Sequence, residues 1–206
     1  MRVVCISDTH NQLHKLDIPT GDLLIHAGDL TRRGSLMEVQ EADRALSRLP
    51  HRHKIIIAGN HDWAFVREPA AARASITSAI YLEDEAVVIE GLRLYGSPWQ
   101  PWFFDWAFNY PRGVSLKPVW DLIPETTDLL ITHGPPRGHG DRPARGELVG
   151  CPDLTMAIQR IRPRIHVFGH IHEGYGITQE GPTTCINASS CMLNYIPLNK
   201  PIIIDI

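Results

Sequence analysis

Residues 2–10 read RVVCISDTH: Val3, Val4, Cys5 and Ile6 form a short apolar run that leads straight into Asp8 and His10, two potential metal ligands. The same passage from apolar run to ligand recurs in LLIHAGD (23–29), KIIIAGNHD (54–62), LLITHG (129–134) and IHVFGHIH (165–172). A strand buried on both faces reads as a short continuous apolar segment, and open α/β sheets place their ligands beyond the carboxyl ends of such strands. Repeated this way, the pattern predicts a sheet that gathers Asp8, His10, Asp29, Asn60, His61, His133, His170 and His172 at one edge.

A chain of 206 residues with 43% hydrophobic and 21% charged side chains fits one α/β domain spanning residues 1–206. Net charge is −3, so no strongly basic surface is available to track a nucleic-acid backbone. That disfavours a long nucleic acid and leaves a small or single-nucleotide substrate compatible. Cys5, Cys151, Cys185 and Cys191 form no C-x-x-C pair and no disulfide framework. The first apolar run is too short for a signal-peptide core, and no stretch approaches a membrane span, so the expected setting is the cytoplasm.

Between the ligand-bearing segments, local signals place helices. Ser35 and Glu38 have capping-box spacing, Leu36, Val39, Leu46 and Leu49 recur at helical intervals, and Pro50 stops the run. Residues 68–79 are alanine-rich, with Pro69 suited to a first turn. A second amphipathic helix is expected over 153–162, capped by Asp153 and stopped by Pro163. Residues 86–98 read as a hairpin turning at Glu90-Gly91, and the tail after His172 reads as a strand meander. Together these predict a largely parallel sheet carrying the motifs and a second sheet supporting it.

The constellation has a chemistry. Asp8-Thr9-His10, read as extended chain, puts two ligands on one side, and His170-Ile171-His172 repeats the arrangement. Asp and His together suit Mn, Fe or Zn. Asp8, His10 and His172 can hold one ion; Asn60, His133 and His170 can hold another; Asp29 can lie between, because a carboxylate has two oxygens. Paired ions clamp the attacking and leaving oxygens of a phosphoryl displacement and generate hydroxide near neutral pH. His61 is left over as a proton donor to the leaving alkoxide, with Asp62 either orienting it or simply solvated.

In this order D-x-H, G-D, G-N-H-D, a His before Gly, and G-H-x-H resemble the calcineurin-like metallophosphoesterases, over residues 8–172. The resemblance implies an α/β, four-layer αββα sandwich with two mixed β-sheets flanked by helices, and a binuclear metal centre of two divalent ions. It also implies the ligand set counted above, Asp29 as the bridge, and His61 at the leaving-group position. The protein phosphatases of this superfamily extend the second motif to G-D-x-x-D-R-G, whereas Arg32 stands here in place of that acid. HAGDLTRRG, GSPWQPWFFDWAFN, THGPPRGHGD and GHIHEGYG are similar to small metallophosphoesterase-domain proteins related to class III cyclic-nucleotide phosphodiesterases. The implied activity is hydrolysis of a small phosphodiester such as a cyclic nucleotide by metal-bound hydroxide, with manganese a suitable ion. Phosphomonoesterase or nuclease activity on the same centre, or a non-catalytic interaction module on this fold, are the alternatives.

Other candidates carry plainer readings. His14, His51 and His53 are ordinary histidines by this pattern, and His166 sits among apolar neighbours as a structural group. His26 can support a ligand through its ring N–H. The glycine-rich loop 134–150 makes Arg137, His139 and Asp141 candidate substrate contacts beside Asn60 and His61. Trp99, Trp102, Phe103, Phe104 and Trp106 are expected to be core packing before base stacking.

Overall fold

A computed structural model describes all 206 residues. In chain order the strands are β1 (Arg2–Ile6), β2 (Leu23–Ala27), β3 (His53–Ile57), β4 (Ile80–Tyr81), β5 (Glu85–Ile89), β6 (Leu92–Ser97), β7 (Gln100–Pro101), β8 (Asn109–Tyr110), β9 (Leu129–Thr132), β10 (Ile165–Phe168), β11 (Gly176–Glu180), β12 (Thr183–Asn187) and β13 (Ile202–Asp205). The helices are α1 (Leu36–Ser47), α2 (Ala64–Arg67), α3 (Pro69–Ser75), α4 (Lys117–Asp121) and α5 (Pro152–Ile161). No helix is long and apolar enough to cross a membrane.

The strands build two mixed sheets, β13-β1-β2-β3-β4 and β11-β12-β10-β9-β6-β5, with β7 and β8 as a separate parallel pair. Alternation along each strand produces the layers. Val3 and Cys5 of β1 join Leu23, Ile25, Ile55 and Ile57 against Leu129, Ile131, Ile165 and Val167 of the other sheet. Val4 and Ile6 point the opposite way, onto Val39, Ala42 and Leu46 of α1. On the far side Tyr95 and Leu130 pack on Trp120, Leu154, Ala157 and Ile158 of α4 and α5. Three apolar interfaces therefore separate four layers, the αββα sandwich expected.

Parallel pairing of β1 with β2, β2 with β3, and β9 with both β6 and β10 aligns their carboxyl ends. The motifs are nevertheless divided: three follow β1, β2 and β3, and two follow β9 and β10 of the facing sheet. The expectation that one sheet carries all of them is corrected accordingly. Nor is the tail a simple meander, because β11 and β12 pair antiparallel while β13 crosses to the first sheet and pairs with β1.

Local signals explain most boundaries. Ser35 Oγ accepts from the Glu38 N–H at 3.3 Å, and the Ser35 N–H donates to Glu38 Oε2 at 3.0 Å, a complete capping box. The helix expected over 68–79 is α3, shorter at Pro69–Ser75 but with Pro69 in its first turn as read; a break at Glu68, whose φ of −136° and ψ of 54° leave the helical region, separates it from α2. Pro69 causes the break, since a proline ring disfavours helical geometry in the residue before it. Cys151, not Asp153, takes the N-cap position of α5, with Pro152 in the first turn; Asp153 Oδ2 accepts from Gly113 N–H at 2.9 Å instead. Replacing Ser35 with Ala removes the reciprocal cap. Urea unfolding should show stability lower by about 1 kcal/mol with an unchanged denaturant slope.

Candidate metal centre

The five loops that leave these strands are stitched together by backbone. Asp8 N–H donates to Gly28 O at 3.0 Å, His10 N–H to Asp29 O at 3.0 Å, and Gly169 N–H to His133 O at 3.0 Å. The His170 N–H reaches the Asp8 carboxylate at 3.0–3.1 Å, which joins the two sheets through a ligand itself. Asp8, His10, Asp29 and His170 have φ of 52°, 43°, 55° and 69°. These are left-handed conformations that bulky residues seldom adopt, and they cluster where surrounding structure enforces them. The D-x-H and H-x-H pairs are thus not extended chain; tight turns, and not the alternation of a strand, aim their side chains.

Two glycines make room. A Cβ on Gly59 would collide with Asp29 Oδ1 and come within 2.7 Å of His133 Cε1. A Cβ on Gly169 would strike Asp8 Oδ2 and Ser7 Oγ. In both motifs the glycine is demanded by the carboxylate beside it.

Each imidazole is turned by a bond on its outer side. His10 Nδ1–H donates to Thr31 O at 3.2 Å, His133 Nδ1–H to Ala27 O at 2.9 Å, and His172 Nδ1–H to Met192 O at 3.0 Å. A carbonyl can only accept, so in each ring Nε2 faces inward. There His172 Nε2 lies 3.5 Å from Asp8 Oδ1 and His133 Nε2 lies 3.4 Å from Asp29 Oδ1. His10 Nε2 lies 3.9 Å from Asp29 Oδ2. Asp29 thus presents different oxygens to different imidazoles. Potential ligand atoms of Asp8, His10 and His172, and of Asp8, Asp29 and His133, fall into groups within 4.8 Å of one another. Asn60 Oδ1 stands 3.0 Å from His133 Nε2, and the His170 ring lies 5.1 Å from that of His133.

The charges are balanced inside the cluster. Burial opposes ionisation of Asp8, but the hydrogen bond and charge of His172 outweigh it and hold the carboxyl well below its ordinary value. Burial likewise opposes Asp29, and His133 overcomes it. Burial disfavours charge on both histidines, yet Asp29 raises His133 to about 9 and Asp8 raises His172 to about 9. With no partner charge so close, burial drives His170 down to about 3.

The residues fit divalent cations on their own geometry. His10 Nε2 is buried and has no hydrogen-bond partner. Asn60 Oδ1, Asp29 Oδ1 and an inward-facing His133 Nε2 all converge on one point. Lone pairs that meet this way need a proton or a cation between them, and the mixed N/O donor set suits Mn, Fe or Zn.

His61 stands at the margin. Its Nδ1–H donates to Arg32 O at 2.8 Å, leaving Nε2 facing the centre, 4.0 Å from Asp29 Oδ2. Asp62 makes no hydrogen bond to that ring, and it is buried where a solvated acid is the other reading. Its fully buried carboxylate accepts from Gly59 N–H at 2.8 Å, Leu30 N–H at 3.2 Å, and Thr31 N–H and Oγ1–H at 2.8 and 2.6 Å. It therefore clamps the G-D loop to the G-N-H-D loop. Burial first, then the charge of Asp29, pushes this carboxyl up to about 6.

The other candidates divide. His26 Nε2 pairs with Thr9 Oγ1 at 2.8 Å, and His166 Nε2 with Thr132 Oγ1 at 2.8 Å, so each histidine props a residue adjacent to a ligand. The structure does not bring Arg137 or His139 to the cluster: Arg137 is exposed, and His139 bonds Thr178 and Glu180 on β11. Asp141 is buried, accepting from Gly150 N–H at 2.9 Å to close its own loop. A cavity of about 190 Å³ opens over Asp29, Asn60, His61, His170 and His172. Its walls include Phe103 and Trp106, expected to be core, and Leu193 and Tyr195, which no motif in the sequence signals.

Gly59→Ala should leave the fold intact by circular dichroism and abolish metal uptake, read by elemental analysis, because the new methyl displaces Asp29. Asp62→Asn should lower stability by roughly 1–3 kcal/mol, since an amide lacks one of the acceptor oxygens these buried donors use.

The calcineurin-like phosphoesterase family profile matches residues 1–174. Metallophosphoesterase domain-containing protein 1 of Homo sapiens is 46% identical over 230 aligned positions, covering 100% of this chain and 71% of that protein. A UPF0046 protein of Caenorhabditis elegans is 40% identical over 228 positions, covering 100% of this chain and 81% of its own length. Among solved structures, TT1561 of Thermus thermophilus superimposes with a TM-score of 0.62 at 17% identity, over 90% of this chain and 88% of that one. GAP50, the anchor in the inner membrane complex of Plasmodium, gives a TM-score of 0.52 at 11% identity over 92% of this chain and 71% of its own. At such identities these two structures report the fold alone. The profile and the relatives, joined to a sandwich whose two sheets meet in a cluster of carboxylates and imidazoles, lead to one conclusion: the chain belongs to the calcineurin-like phosphoesterase family.

Proposed function

We propose that this chain is a phosphodiesterase acting on small diesters, cyclic nucleotides among them, with two divalent ions such as manganese. The observation that carries this reading is Asp29, whose two oxygens face different imidazoles while His61 stands beside it with a free inward nitrogen. Asp8, His10 and His172 would hold one ion, Asn60, His133 and His170 the other, with Asp29 between. Such ions supply Lewis-acid activation of water and neutralise phosphoryl charge.

The chain's own groups do the rest. The Arg32 carbonyl fixes the His61 tautomer, so a proton carried on Nε2 is directed into the cavity. His61 Nε2, 4.0 Å from Asp29 Oδ2, stands where it can pass a proton to the leaving oxygen. Asn60 turns its Oδ1 toward His133, which leaves its amide N–H groups for a phosphoryl oxygen. Neither lysine nor arginine lines the cavity, an arrangement suited to a singly charged diester over a polyanion. One domain over residues 1–206 and a cytoplasmic setting belong to the same proposal; four free, buried cysteines support a reducing compartment.

Manganese-loaded protein should hydrolyse bis(p-nitrophenyl) phosphate faster than p-nitrophenyl phosphate, lose activity to a chelator and regain it with manganese. Metal-replete protein inert toward every phosphoester would contradict the proposal. His61→Ala should keep its metal by elemental analysis and lose about 10²–10⁴-fold in kcat. Metal lost together with activity would instead make His61 a ligand. Products from 2′,3′- and 3′,5′-cyclic nucleotides then assign the diester.

A further inference from the structure

Three aromatic rings face the cavity, two from one segment and the third from the distant tail. The Trp106 ring lies 4.5 Å from that of His61, and Phe103 lies 4.9 Å from His170. Tyr195 lies 4.8 Å from His10 and 5.9 Å from both His61 and His172. All three are half-buried, with part of each ring open. The core does not need them: within the same aromatic segment Trp99 meets that demand by stacking on Tyr110 at 4.1 Å and donating its indole N–H to Asp84 at 2.8 Å.

Each ring is held from behind. Next to Trp106, the Ala107 N–H donates to Asn60 O at 3.2 Å. Asn109 Nδ2 donates to Phe103 O at 3.1 Å and is itself fixed by buried Gln100 at 2.9 Å. Gln12 Nε2 donates to Tyr195 O at 2.7 Å, and the Tyr195 N–H donates to Met192 O at 2.8 Å. Tyr195 holds its place with a strained backbone, at a φ of 60°, and the Arg32 guanidinium lies 5.2 Å from its ring. Pre-positioned, half-exposed rings around a polar centre are what a stacking partner requires.

We propose that Trp106, Phe103 and Tyr195 form a clamp that recognises a planar aromatic substituent on the phosphoester, either a nucleobase or an aryl group. The inference rests on reading the cavity as a phosphoester site and adds the chemistry of the group the phosphorus carries. Stacking on a protein ring is worth roughly 5- to 150-fold in affinity per ring.

The test is calorimetric binding of three phosphonates, which cannot be hydrolysed, to manganese-replete protein. Phenylphosphonate should bind at least about five-fold more tightly than methylphosphonate or cyclohexylphosphonate, the last matching its size without its flat face. Trp106→Leu and Tyr195→Asn should each shrink that preference toward one, with metal content and methylphosphonate affinity unchanged; asparagine tolerates the left-handed backbone. Should either variant fold poorly, Phe103→Leu gives the same readout. Equal binding of all three phosphonates, or a phenyl preference that survives every substitution, overturns the clamp and leaves the phosphoester reading standing. If none of the phosphonates binds, the clamp is overturned too, and the phosphoester reading is judged separately by turnover of bis(p-nitrophenyl) phosphate. Displacement of phenylphosphonate by adenosine 5′-monophosphate against ribose 5-phosphate assigns the substituent: a preference for the former indicates a nucleobase, equality an aryl group.

Discussion

Two buried carboxylates, Asp8 and Asp29, stand inside a ring of imidazoles, and the surrounding architecture exists to keep them there. A buried charge without partners is costly enough that the group would neutralise instead. Here the partners arrive from the facing sheet: His172 answers Asp8, and His133 answers Asp29. Because Asp8 also accepts the His170 N–H and, at 2.8 Å, the Ser189 hydroxyl, the same carboxylate that offers itself to a cation ties one sheet to the other. Site assembly and sheet packing are consequently one event.

Orientation comes from the backbone. Three imidazoles commit Nδ1 to carbonyls, and His61 commits its own to Arg32, so four Nε2 atoms are aimed by main chain that the sheets already fix. Strained φ angles at Asp8, His10, Asp29 and His170 mark where that aiming departs from what the residues would choose alone. Asp62 offsets the cost of bringing two such loops together by accepting four hydrogen bonds from them.

Much of this was legible in the sequence, for identifiable reasons. Apolar runs ending in Asp, Asn or His mark strand tips whatever the sheet, so the ligand cluster could be read before the topology. Which sheet each strand joins could not, because pairing partners leave no local trace; β13 reads like any late strand yet pairs with β1. The capping box of α1 and the start of α3 at Pro69 are local signals and appear as read. The sequence leaves the place of Asp62 open, because a motif acid looks alike whether it faces a cavity or a loop. Arg137 and His139 drew attention through loop composition, yet His139 lies against β11. Tyr195 had no signal at all: it reaches His10 only through a tail folded back across the mouth.

The whole picture depends on cations flanking one carboxylate. Anomalous diffraction from manganese-soaked crystals locates them without reference to turnover. Two peaks about 3.5–4 Å apart, one on each side of Asp29, are expected. A single peak, or peaks remote from Asp29, would contradict the binuclear centre.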